Sequence, residues 1–135
     1  MDNDDIVKNT DAEPKAEANR GFKILVTFNG VPIGWLTVTG PPVYWLTVTD
    51  NEASASVWYQ LAYNGKTYIM TGPNNYLSYQ TSTTRLNVRG WIYAAAWRLV
   101  GTHLECLDNG KLVGVDGNNL YANGENVVDV KFVPV

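Results

Sequence analysis

The chain is poor in the residues that most active-site chemistry needs. Its 135 residues include one histidine, His103, and one cysteine, Cys106. A single cysteine excludes an internal disulfide. In the run Thr102-His103-Leu104-Glu105-Cys106, strand alternation puts residues 103 and 105 on one face and 104 and 106 on the other. His103 and Cys106 then point apart, which does not suit a Cys–His dyad. One histidine, one cysteine and scattered acids also make a poor metal set, and no cofactor is expected. A basic excess is missing too: ten Lys and Arg stand against thirteen Asp and Glu, for a net charge of −3. Nucleic-acid binding needs a basic face to neutralise phosphates, so that class is excluded. No apolar run is long enough to span a membrane as a helix. No Asn-x-Ser/Thr sequon is present, and the N-terminus lacks the basic start and apolar run of a signal peptide. The expectation is a cytoplasmic protein, or one released without a signal peptide.

The charge that exists is unevenly placed. Residues 1–20 hold six acids (Asp2, Asp4, Asp5, Asp11, Glu13, Glu17) and three bases (Lys8, Lys15, Arg20), which accounts for the whole net charge. Only Ile6 and Val7 are large and apolar after Met1. Such a segment cannot offset its ordering entropy by burial, so residues 1–21 are expected to form a disordered acidic tail. Residues 22–135 are expected to form a single domain.

No window shows a convincing 3.6-residue period, and strand signals dominate after Phe22. Strands are predicted at 23–28, 35–39, 43–49, 56–63, 67–71, 76–80, 86–89, 94–100, 103–107, 111–115, 119–122 and 127–133. Turn residues separate them, including Asn29-Gly30, Asn64-Gly65, Asp108-Asn109-Gly110, Asp116-Gly117-Asn118 and Asn123-Gly124. Ala94-Ala95-Ala96 reads as strand with small side chains at a crowded contact. The pentapeptide Trp-Leu-Thr-Val-Thr occurs twice, from Trp35 and from Trp45, with Gly40-Pro41-Pro42 between as strand breakers.

Aromatic-led segments recur at near-even intervals, starting at Phe22, Trp58, Trp97 and Phe132. Fixed-period self-similarity is the mark of a repeat architecture. Each unit also carries a second-strand leucine: Leu46, Leu77 and Leu112. Three units of about four short strands imply an all-β chain, a β-trefoil with three repeats: a six-stranded barrel capped by three hairpins. The four anchors and three leucines would fill its core.

The order of anchor aromatic, Gly turn, Tyr-Leu-Ser or Lys-Leu-Val strand and Gly-Asn-Asn-Leu-Tyr resembles the fungal β-trefoil, ricin-B-like lectin-like family. That family includes the lectin-like light subunit of mushroom tyrosinase. The resemblance covers residues 22–135 and implies a carbohydrate-binding protein. The chain departs from the family at its sugar sites. Where those sites carry a Gln two residues before the anchor Trp, this chain has Ser56 and Ala95. Where they carry an acid after the second-strand leucine, it has Thr47, Ser78 and Val113. A sugar site here would be a variant one.

Sugar recognition asks for an aromatic plane beside short polar side chains. The third unit offers the densest mix: Asp116, Asn118, Asn119, Tyr121 and Asn123. The first offers Trp45 with Asp50 and Asn51, and the second offers Asn75. The same residue types are what tight turns require. Calcium at Asp108-Asn109-Gly110 or Asp116-Gly117-Asn118 is weaker still, because such runs are usually just turns. The acids of residues 22–135 show no two placed as glycosidase partners, and no enzyme activity is expected.

Three functional readings follow. One is a non-enzymatic lectin binding mannose- or galactose-type sugars weakly. Another is an interaction subunit that docks on a partner protein through a projecting Trp35–Trp45 hairpin. The third is a protease inhibitor using Gly40-Pro41-Pro42-Val43 as a rigid loop.

Overall fold

Asparagine–glycine pairs set the first strand boundaries. A computed structural model describes residues 6–15 and 19–135. Asn29 and Gly30 have φ of 51° and 79°, and Asn64 and Gly65 have 54° and 77°. Two successive positive φ values match the twist of a tight hairpin, and Asn-Gly supplies them at least cost. The first pair joins β1 (Phe22–Phe28) to β2 (Val31–Thr39), and the second joins β4 (Tyr59–Tyr63) to β5 (Lys66–Gly72). Between them lies β3 (Trp45–Thr49). The chain continues with β6 (Asn75–Tyr79), β7 (Leu86–Arg89), β8 (Trp97–Val100) and β9 (His103–Cys106). It ends with β10 (Lys111–Leu112), β11 (Gly114–Asp116), β12 (Asn119–Tyr121) and β13 (Asp129–Pro134).

The protein is all-β. Among the described residues the only helices are single 3₁₀ turns at Glu52–Ser54 and Trp91–Tyr93, and none could cross a membrane. All strand pairs are antiparallel. The ladders run as an open path β10-β9-β8-β5-β6-β7-β3-β2-β1-β13, with β4 on β5 and β12 linking β11 to β3. Shorter links cross this path: bridges join Phe22 to Trp58 and Arg85 to Tyr121, and the Val130 N–H donates to the Thr102 carbonyl at 2.9 Å.

Period-two alternation builds the core. Phe22, Ile24 and Val26 of β1 point inward, while Leu36 of β2 and Leu46 and Val48 of β3 face them. Trp58 and Trp97 are fully enclosed, and the Trp97 Nε1–H donates to the Leu77 carbonyl at 3.1 Å. Phe132 stacks on Phe22 at 4.5 Å but is only half-buried. Leu46 and Leu77 occupy the core, whereas Leu112 is half-buried and Val113 takes the inward place. The reason is register: the Val113 N–H extends the β9–β10 ladder by donating to the carbonyl of the buried Leu104 at 2.8 Å, so Val113 shares its inward face and Leu112 takes the other. Ala94, Ala95 and Ala96 are buried as expected of small residues at a crowded contact, but they follow the Trp91–Tyr93 turn as loop and β8 begins at Trp97.

A second apolar cluster forms beside the main core from Leu61, Tyr68, Met70, Tyr76, Trp91, Ala94 and Ala96, with Tyr63 packed against it. The acidic N-terminal segment runs across it. Composition gives residues 1–21 no reason to order, yet residues 6–15 lie against this cluster. Burial does not hold them, since Ile6 and Val7 are 54% and 53% exposed. Polar bonds do: the Lys8 and Asn9 N–H groups donate to the Ile92 carbonyl at 2.7 and 3.2 Å. Residues 1–5 and 16–18 lie outside the described residues.

Candidate functional site

Gly114 makes the third unit's polar depression. A Cβ at this position would stand 1.6 Å from the Glu125 carbonyl oxygen, so only glycine lets the 123–127 loop lie on β11. The loop is stitched down there. The Val115 N–H donates to the Asn126 carbonyl at 3.1 Å, and the Gly124 N–H to the Leu112 carbonyl at 2.9 Å. Gly117, at φ 62°, turns the chain tightly between β11 and β12, which pairs Asp116 with Asn119. The result is a depression of about 310 Å³ lined by Thr83, Val115, Asp116, Tyr121, Asn123, Glu125 and Asn126.

Its side chains are largely uncommitted. The Asn123 Oδ1 accepts from the Glu125 N–H at 2.9 Å, which fixes the turn. The Asp116 and Glu125 carboxylates and the Tyr121 hydroxyl have no hydrogen-bond or ion-pair partner among the described residues. Two carboxylates, a phenol and an amide around one tyrosine ring can take the hydroxyls of a polyol and cover its apolar face.

The other residues proposed from sequence fall elsewhere. Asn118 sits at the hairpin tip, where its carbonyl accepts from the Val48 N–H and the Thr47 hydroxyl at 2.9 and 2.7 Å. The Asn119 Oδ1 accepts from Arg85 Nη2 at 3.1 Å. The same guanidinium lies 4.4 Å over the Trp45 ring. Trp45 and Asn119 thus meet through Arg85, whose Nε is buried without a partner. Asp50 is exposed in the bend after β3, and Asn51 caps the Glu52–Ser54 turn by accepting from the Ala53 N–H at 3.1 Å. Asn75 opens β6 and lines a separate cavity of about 510 Å³ with Val38, Tyr44, Ser56, Val57, Thr71 and Val88.

The positions matching the family's sugar-binding acids are not free for ligand. Thr47 is bonded to Asn118, the buried Ser78 hydroxyl donates to the Tyr93 carbonyl at 2.6 Å, and Val113 is in the core. Glu125, Asn126, Thr83 and Arg85 were not singled out from sequence as ligand contacts. The signal for Glu125 and Asn126 was present, since they follow the Asn123-Gly124 turn directly. Nothing local in the sequence marks Thr83 or Arg85, which arrive from another unit.

His103 and Cys106 do lie on opposite faces of β9. His103 Nε2 is 3.2 Å from the Asp129 carboxylate, while Cys106 is enclosed and its thiol is pushed up to about 11, chiefly by burial. Among the described residues no three His, Cys, Asp or Glu side chains gather as a metal site. Asp108 is paired with Lys8 at 2.8 Å, and Asn109 is spent on the Ala122 carbonyl and the Lys111 N–H.

Comparison with known proteins gave no match to a protein-family model, a curated sequence or a solved structure.

Proposed function

We propose that the chain is a non-enzymatic carbohydrate-binding protein of β-trefoil architecture, with its site in the third unit's depression. The observation that carries this reading is the trio of unpartnered groups on Asp116, Tyr121 and Glu125 in one recess. Exposed turns can hold free carboxylates at random, but a recess shaped by the close loop approach that Gly114 permits, with a tyrosine in its wall, suits a pyranose better than solvent alone. Such a shallow site binds one mannose- or galactose-type sugar with a Kd of about 1 mM.

The trefoil reading draws support from the strand links. Six segments follow one another around a ring. β13 pairs with β1, and the Phe22–Trp58 bridge leads from β1 to β4. β4 pairs with β5, β5 meets β8 at Thr67 and Trp97, and β8 pairs with β9. The bond from Val130 to Thr102 returns from β13 to β9. The remaining hairpins touch in a triangle through Trp45–Asn87, Thr47–Asn119 and Arg85–Tyr121. This is the arrangement expected of a β-trefoil, the fold that the resemblance to the ricin-B-like family implies.

A glycan array tests the sugar reading, with Asp116→Ala and Tyr121→Phe as paired controls. A hit lost in both variants supports it. A blank array from folded protein ends it and favours docking on a partner protein. That second reading has its own observation: Val43 and Tyr44 are 43% and 47% exposed at the tip between β2 and β3, beside the 510 Å³ cavity. Replacing residues 40–44 by a short polar turn would then abolish partner binding and spare the fold.

A further inference from the structure

The N-terminal segment is held as a ligand is held. Asn9, Asp11 and Glu13 reach the second cluster while Thr10 and Ala12 between them are exposed, the one-sided pattern of a peptide read along one face, and Lys8 before them pairs with Asp108 at 2.8 Å. The Asn9 amide donates to the Trp91 and Ala94 carbonyls at 2.7 and 3.1 Å. The Asp11 carboxylate accepts from the Tyr63 hydroxyl at 2.7 Å, and the Trp91 Nε1–H donates to the Asp11 carbonyl at 2.9 Å. The Glu13 carboxylate accepts from the Tyr76 hydroxyl at 2.7 Å and from the Asn74 N–H at 2.6 Å.

The surface beneath is an aromatic cluster supplied by residues 63–91. Trp91 is ringed by Tyr63, Tyr68 and Tyr76 at centroid distances of 5.5, 4.8 and 5.3 Å. With the segment in place Tyr76 is fully enclosed and Trp91 nearly so. The segment adds no buried apolar side chain, since Ile6 and Val7 face solvent. Its hold is therefore polar and sequence-reading, and a peptide offering the same groups could replace it. Hydroxyl and N–H donors spaced for two carboxylates define what that peptide must carry.

We propose that this face is a peptide-binding groove for an acidic segment of a partner protein with the pattern Asn-x-acid-x-acid, occupied in cis by the chain's own residues 9–13. The tethered copy competes with the partner at high effective concentration and keeps the groove closed until a better-matched segment arrives. This is separate from the sugar site and does not depend on it.

The test uses the full chain and a full-chain D11K/E13K variant, whose tail offers cations where the groove offers donors. The probe is a fluorescein-labelled peptide of residues 6–15, read by anisotropy, with circular dichroism confirming both folds. The variant is expected to bind the peptide at least about tenfold more tightly than the parent, because its groove is open. A peptide with Lys at both acidic positions is expected not to bind, and Tyr76→Phe in the variant background should weaken binding. Equal binding by parent and variant, or none by the folded variant, would overturn the proposal. Parent dimers lost in D11K/E13K would overturn it in favour of tail exchange between copies. Hydrogen exchange gives an independent check, because the Asn74 amide donates to Glu13. Its exchange should quicken about tenfold in the variant, and equal rates would contradict a docked tail.

Discussion

The second and third units both set polar groups beside aromatic rings, but only the second has those groups answered from within the chain. Tyr63 and Tyr76 donate to Asp11 and Glu13, whereas Tyr121, Asp116 and Glu125 face a recess with no partner among the described residues. The difference comes from the chain that each face meets. The second unit's rings lie where the N-terminal segment passes. The third unit's recess is walled by its own loop, which Gly114 allows to approach. The first face is closed by the chain itself, and the second stands open. Substitutions should separate the two.

Trp58→Ala should damage both faces at once, because Trp58 is fully enclosed in the main core, beside which the second cluster packs. The expected loss is about 3–5 kcal/mol, read from urea denaturation. A melting temperature within a degree or two of the parent would show that the core is not organised around this anchor. Gly114→Ala should act on the third unit alone. Its Cβ would overlap the Glu125 carbonyl, so a loss of about 1–3 kcal/mol should come with loss of ligand binding and an undisturbed tail.

Alkaline pH should act mainly around the second unit. The Tyr79 hydroxyl is pushed up to about 12, first by burial and then by the nearby Cys106 and Asp108. Tyr76 is raised still further, by burial and then by its bond to Glu13. Cys106 is held at about 11 by burial. Each group stays neutral in the folded chain at a pH where the unfolded chain has ionised it. The unfolded state then binds fewer protons, so stability falls as pH rises. Their contribution should be full below pH 9 and lost progressively between 9 and about 12. Urea midpoints measured across that range should decline, and Tyr79→Phe should flatten the decline.

Tyr76→Phe removes the hydroxyl that holds Glu13 and should cost about 1 kcal/mol while freeing the tail to proteases. Asp116→Ala should have the smallest effect on stability, within about 0.5 kcal/mol, because its carboxylate supports nothing in the fold. Its effect should appear in ligand binding only. A clear loss of stability there would place Asp116 among the structural residues and undo the contrast between the two faces.

Strand positions were legible because turn chemistry and alternation are local. Asn29-Gly30 and Asn64-Gly65 close the hairpins where the sequence places them. What was not legible depended on meetings between distant segments. Leu112 and Val113 are both apolar, and Val113 is the one turned inward because it pairs with the buried Leu104 of β9. The same holds for the tail, whose composition gives no hint of the donors awaiting Asp11 and Glu13. For the candidate site, a dense run of Asn and Asp located the right hairpin. It could not separate Asp116 and Tyr121, which line the recess, from Asn118, which meets β3 through its backbone carbonyl, and Asn119, whose side chain is used on Arg85. Asn51 shows the same ambiguity, since it caps a turn.

Sugar binding in the recess is best decided by an amide chemical-shift titration of the ¹⁵N-labelled full chain with mannose and galactose up to tens of millimolar. Concentration-dependent shifts confined to residues 115–126 and Thr83 are expected for one of these sugars, absent in Asp116→Ala. Shifts centred on any other part of the chain, or none with either sugar, would contradict it.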